Sequence, residues 1–105
     1  MIAVTNPTLE GSPIKRYIGI VSGETISGVN FFKDIGAGLS NLFGGRATNY
    51  EEELFEASKT AIDEMCQRAK AMGANAVVGV HVDYFTAGAD NGMLAAIATG
   101  TAVEV

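Results

Sequence analysis

Hydrophobic and polar positions recur with two different periods along this chain, and each change of period marks an element. A short apolar piece, Met1–Val4, stops before Asn6-Pro7, where proline ends regular pairing. From Ile14 to Ile26 the chain is rich in Ile, Val, Tyr and Thr, which predicts a strand, with Ser22-Gly23 as its bend or bulge. Between Asn30 and Gly45, Phe31, Phe32, Ile35, Leu39, Leu42 and Phe43 recur at helical spacing. Gly36 and Gly38 weaken that pattern, which predicts a short or irregular helix ending at Gly44-Gly45.

The clearest helix is predicted after Thr48, which with Glu51 matches a capping box, and Glu51, Glu52, Glu53 and Glu56 are expected to crowd its positive end. Leu54, Ala57, Ser58, Ala61, Ile62, Met65, Ala69 and Met72 make one stripe of small and medium side chains. Gly73 stands where a left-handed residue closes a helix. Two strands follow, Ala76–Phe85 and Met93–Val105, joined by the tight-turn pair Asn91-Gly92.

The order β-α-β-β predicts a two-layer α+β domain, an antiparallel sheet covered on one face by a long helix. Three strands about 4.8 Å apart span more than one helix about 10 Å across can cover on both sides. Alternation assigns Ala76, Val78, Val80, Val82 and Tyr84 to the helix, and Val77, Gly79, His81, Asp83 and Phe85 to the far face. On the last strand, Leu94, Ala96, Ala98, Gly100 and Ala102 form a face of small residues. Small residues admit another layer closely, so this face is expected to pack on a second copy of the chain.

Composition sharpens this picture. A chain of 105 residues is one domain, here 1–105. Only 18% of its residues are charged, so some apolar surface stays open unless another copy covers it. Asp and Glu outnumber Lys and Arg by 12 to 7, and the cations are scattered, which argues against nucleic-acid binding. Arg68 and Lys70 beside Gly73 suit the negative end of a helix. A single cysteine, Cys66, permits no intrachain disulfide and suits a reducing compartment. No basic leader with an apolar stretch opens the chain, and its most apolar run, Met93–Ala98, is too short to span a bilayer. A cytoplasmic protein is expected.

Four segments carry a resemblance. They are Tyr17-Ile18-Gly19-Ile20-Val21-Ser22-Gly23-Glu24, the Gly44-Gly45-Arg46 step before Tyr50-Glu51, Gly73-Ala74-Asn75-Ala76-Val77-Val78-Gly79-Val80, and Gly100-Thr101-Ala102-Val103. In this order, and over nearly the whole chain, they resemble the YbjQ-like family of small bacterial and archaeal proteins, commonly labelled heavy-metal-binding. The resemblance implies a dodecin-like subunit assembled as a ring-shaped pentamer. It implies no activity and transfers no catalytic residue.

A heavy-metal site needs soft or borderline donors grouped together, and the chain offers one Cys, one His and four Met. Cys66 reads as a small buried hydrophobe of the long helix. His81 reads as an interface histidine before it reads as a ligand, with Asp83 on the same face to orient it. In a ring, five copies of His81 could converge and supply the missing ligands. Gly44, Gly45 and Arg46 could form an anion site from backbone N–H groups and a guanidinium. The competing reading is a pair of glycines that lets two helices meet at an angle. No Gly-Lys-Ser/Thr ending makes it a phosphate loop, and Gly36-Ala37-Gly38 lacks the third glycine of a dinucleotide fingerprint. Ser22, Ser27, Ser40 and Ser58 have one candidate base, His81, and no nucleophile elbow. Asp90-Asn91-Gly92 lacks the later acidic ligand of a calcium loop.

These readings favour a homo-oligomeric binding or scaffold module without catalysis, its partner being itself. A metal- or small-anion-binding protein built from symmetry-related residues comes second, and an enzyme acting at subunit junctions third. The residues name no cofactor.

Overall fold

The computed structural model of the chain describes residues 1–27, 43–87 and 93–105. Its elements are β1 (Ile2–Ala3), β2 (Arg16–Ser27), α1 (Phe43–Ala71), β3 (Ala76–Ala87) and β4 (Met93–Glu104). They form one four-stranded sheet in the order β1-β3-β4-β2, with α1 packed against β2 and β4.

The sheet is mixed rather than wholly antiparallel. β4 pairs antiparallel with both β2 and β3, while β1 runs parallel to β3 with Ile2 opposite Ala76 and Ala3 opposite Val77. The apolar start of the chain thus adds a fourth strand. Its ladder continues past the two residues: Val4 N–H donates to the Val77 carbonyl (2.9 Å), Val80 N–H to that of Val4 (3.0 Å), and Gly79 N–H to that of Asn6 (2.8 Å). At the other terminus Asn75 clamps Val105. Its Nδ2 donates to the Val105 carbonyl (3.0 Å), and Val105 N–H donates to its Oδ1 (2.8 Å).

The helix starts five residues before the expected cap. Thr48 lies inside it, no acidic residue falls in its first turn, and Glu51–Glu53 stand two turns in, away from the positive end. Arg68 and Lys70 do occupy its last turn, and Gly73 takes φ +95° just beyond it. The expected irregular helix and the Asn91-Gly92 turn lie outside the described residues, except that 43–45 belong to α1.

Ala57, Ala61, Met65 and Ala69 line the buried stripe of α1. They meet Val21, Val77, Ala96, Ala98 and Ala102, with Val80 and Val82 packed at the margin. The small-residue face of β4 therefore receives the chain's own helix, not a second copy. At its centre the two layers touch backbone to backbone. A Cβ on Gly23 would overlap the Ala61 carbonyl oxygen and the Met65 nitrogen, and would lie 2.9 Å from Met65 Cα. Ser22 and Gly23 are consequently in register. The irregularity in β2 falls between Tyr17 and Gly19 instead.

A bulge in β3 revises the expected face assignment. Val78 pairs with Thr101 and His81 with Thr99, so Gly79 and Val80 together oppose Gly100. Gly79 has φ +63°, the left-handed conformation that glycine adopts without steric cost. Before the bulge Val77 faces the helix, and Ala76 and Val78 face away. After it Val80 and Val82 face the helix, and His81 and Asp83 face away. Ala76, Val78 and Val103 are nevertheless covered, because Val4, Leu9, Ile14 and Val105 fold over them. On the rest of that second face Ile20, Ile26, His81, Asp83 and Phe85 are exposed, while Ala95 between Phe85 and Ile26 is buried.

Candidate open face and its polar rung

Register across β3, β4 and β2 arranges the open face in rungs. The central rung is His81, Thr99 and Ser22, and the next is Asp83, Ile97 and Glu24. Val78, Thr101 and Ile20 flank them on one side, Phe85, Ala95 and Ile26 on the other. The face is polar in the middle and apolar at both ends. Ile20 is 85% exposed, and Tyr17, Ile26 and Phe85 are also exposed.

His81 and Asp83, expected to share a face, do so and touch. His81 Nε2–H donates to Asp83 Oδ1 at 3.0 Å, with 71% and 66% of the two side chains exposed. Ser22 shares their rung but stands two strands from His81, roughly 10 Å away at the usual strand spacing. Its Oγ donates to Glu24 Oε2 at 3.2 Å instead. No serine–imidazole pair forms there.

The outer edge of β2 carries an interaction that the sequence alone does not show. Arg68 leaves α1 and donates through Nη1 to the Ser22 carbonyl (3.0 Å) and to Glu24 Oε2 (2.8 Å), and through Nη2 to Glu64 Oε1 (3.3 Å). This guanidinium holds the Glu24 carboxyl below the usual carboxylate range. Glu64 and Arg68 sit four apart on one helix, a pattern visible in sequence, but the link to Ser22 and Glu24 depends on the helix lying over this edge.

Cys66 is half-buried on α1 beside the core. Burial, and after it the charge of Asp63, pushes its thiol pKa up, which keeps it protonated and a poor ligand. The glutamates 51–53 and 56 border a shallow hollow with Phe55, built from one helix alone. Gly44, Gly45 and Arg46 lie in the first turn of α1; their side chains fall outside the described residues. Among the described residues, no helix is long and apolar enough to cross a membrane.

Comparison with known proteins extends these observations. Residues 1–105 match the model of the YbjQ family, which is described as "Putative heavy-metal-binding". A UPF0145 protein of Bifidobacterium longum (strain DJO10A) is 59% identical over 105 residues, covering 100% of this chain and 96% of its own. A UPF0145 protein of Listeria ivanovii is 60% identical with the same coverage. The crystal structure of a DUF74-family protein of unknown function from Pediococcus pentosaceus superimposes with a TM-score of 0.70 at 12% identity, covering 100% of this chain and 97% of that one. That structure shares the fold.

Proposed function

Because the chain belongs to the YbjQ (UPF0145) family along its whole length, we propose that it works as a cytoplasmic homo-oligomer. In this reading it is a binding or scaffold module without catalysis, whose copies meet across the open sheet face. The observation that carries this is the exposure of Ile20, Tyr17 and Ile26 on one strand, with Phe85 across the sheet. Burying one such side chain completely gains roughly 1.5–3 kcal/mol, so a few of them per copy support a stable contact. The low charged fraction, 18%, supports the same reading. So do the sheet edges, since β2 is a terminal strand and β1 covers β3 only at its start. Exposed edges are commonly blunted by charge or proline; on β2 the Arg68 contact at Ser22 is such a device, and the apolar positions beside it remain available to a neighbour.

The ring of five implied by family resemblance is the assembly proposed. Size-exclusion chromatography with light scattering tests it. The expected mass is about five times the 10.9 kDa chain, and a monomer mass at all concentrations overturns the proposal.

A further inference from the structure

A family described as "Putative heavy-metal-binding" raises the question of which donors this chain can offer. Among the described residues, no three of His, Cys, Asp and Glu lie close enough together to hold an ion. Cys66 stands half-buried against the core with a raised pKa, and a protonated thiol binds metal poorly. His81 and Asp83 are different. Their donor atoms are 3.0 Å apart. At bond lengths of about 2.0–2.1 Å, that separation subtends about 95° at an ion, between octahedral and tetrahedral angles. Both side chains project from the open face, mostly exposed, so an outward turn that exchanges their shared proton for an ion disturbs no packing. They also stand near an edge. Past Val80, the outer side of β3 as far as Phe85 has no strand beside it among the described residues.

We propose that His81 and Asp83 form a two-donor half-site for a borderline divalent cation such as Zn(II), completed by His81 and Asp83 of other copies around the ring axis. An imidazole nitrogen and a carboxylate oxygen suit zinc, nickel or copper better than calcium or magnesium. Two donors leave a tetrahedral ion half-coordinated, and closed zinc sites hold four protein ligands. Other copies of the ring supply the missing donors, so the ion is shared between subunits. This inference rests on the homo-oligomeric reading above, and the two fail in different ways.

The test uses the full chain freed of metal and titrated with Zn(II) alone. The chain's single histidine gives its ring resonances an unambiguous assignment. The expected result is a shift of the His81 ring signals that saturates below one ion per chain. His81→Gln and Asp83→Asn should each weaken binding at least tenfold with unchanged far-UV circular dichroism, while Cys66→Ser binds as wild type. Zinc uptake that leaves the His81 signals in place overturns the site. Saturation at one ion per chain through His81 overturns its sharing between copies. Absence of uptake at tens of micromolar zinc overturns both. A monomer mass by light scattering, with or without zinc, instead overturns the oligomeric reading on which the sharing depends.

Discussion

Gly23 lies against the carbonyl oxygen of Ala61 so closely that no side chain fits between strand and helix. The obstacle is backbone already engaged in the helix, not the end of a flexible side chain. Gly23→Ala must therefore push α1 off the sheet along Ala57, Ala61 and Met65. The expected loss is about 3 kcal/mol, at the upper end of overpacking, measured by urea denaturation. A loss below about 0.5 kcal/mol would show that the layers part easily there.

Gly79 presents the opposite case. A Cβ there meets nothing within 4 Å, but φ is +63°. Only backbone strain opposes substitution, so Gly79→Ala should cost about 1 kcal/mol and Gly79→Asn less, since asparagine tolerates the left-handed region. Equal losses for both variants would point to a contact made by a neighbouring copy.

Ile20 separates stability from assembly. At 85% exposure, Ile20→Asp should change the stability of a single subunit by no more than about 0.5 kcal/mol. If the open face meets another copy, the same variant yields smaller species by light scattering with native circular dichroism. An unchanged mass would move the contact elsewhere.

The Arg68–Glu24 pair predicts a dependence on acid. The folded Glu24 carboxyl titrates below its unfolded value because Arg68 donates to its charged form. Its contribution is complete above the unfolded value and is lost as pH falls through the depressed folded one. Between neutral and acidic pH, wild type should lose more stability than Glu24→Gln, and added salt should narrow the difference because the pair is exposed. Parallel pH profiles would contradict this.

Cys66 should react slowly. A thiol with its pKa raised by burial holds little thiolate at neutral pH. Ellman's reagent should label it several-fold more slowly than free cysteine under native conditions, and at the normal rate in urea. Fast native labelling would mean that the helix face around it opens.

The long elements were legible because each carries its period for three turns or more, or for many strand residues. Of the stripe the spacing gives, Ala57, Ala61, Met65 and Ala69 are buried, Leu54, Ser58 and Ile62 are half-buried and Met72 at its end is exposed; the family resemblance holds for all 105 residues. The failures have specific causes. Strict alternation along β3 does not survive Gly79, because one extra residue at a bulge reverses every face before it. The small face of β4 fits a partner or the chain's own helix equally well, because sequence states residue size but not which layer arrives. The Thr48–Glu51 box was a genuine capping pattern overridden by a helix that begins at Phe43. β1 is too short to declare itself, and its pairing partner lies more than 70 residues away. Alternation alone places His81 and Asp83 on one face because both follow the bulge, whereas Thr99 joins their rung only through cross-strand register.

The β3 bulge also works as a reading frame for the sheet. Removing Gly79 would restore strict alternation and turn over one half of the strand relative to the other. With Ala76 to Val78 held by β1 and the N-terminal segment, the half that turns is the distal one. His81 and Asp83 would then point beneath α1, and Val80 and Val82 outward into the open. One inserted glycine thus decides whether the protein's single imidazole belongs to its interior or to its surroundings.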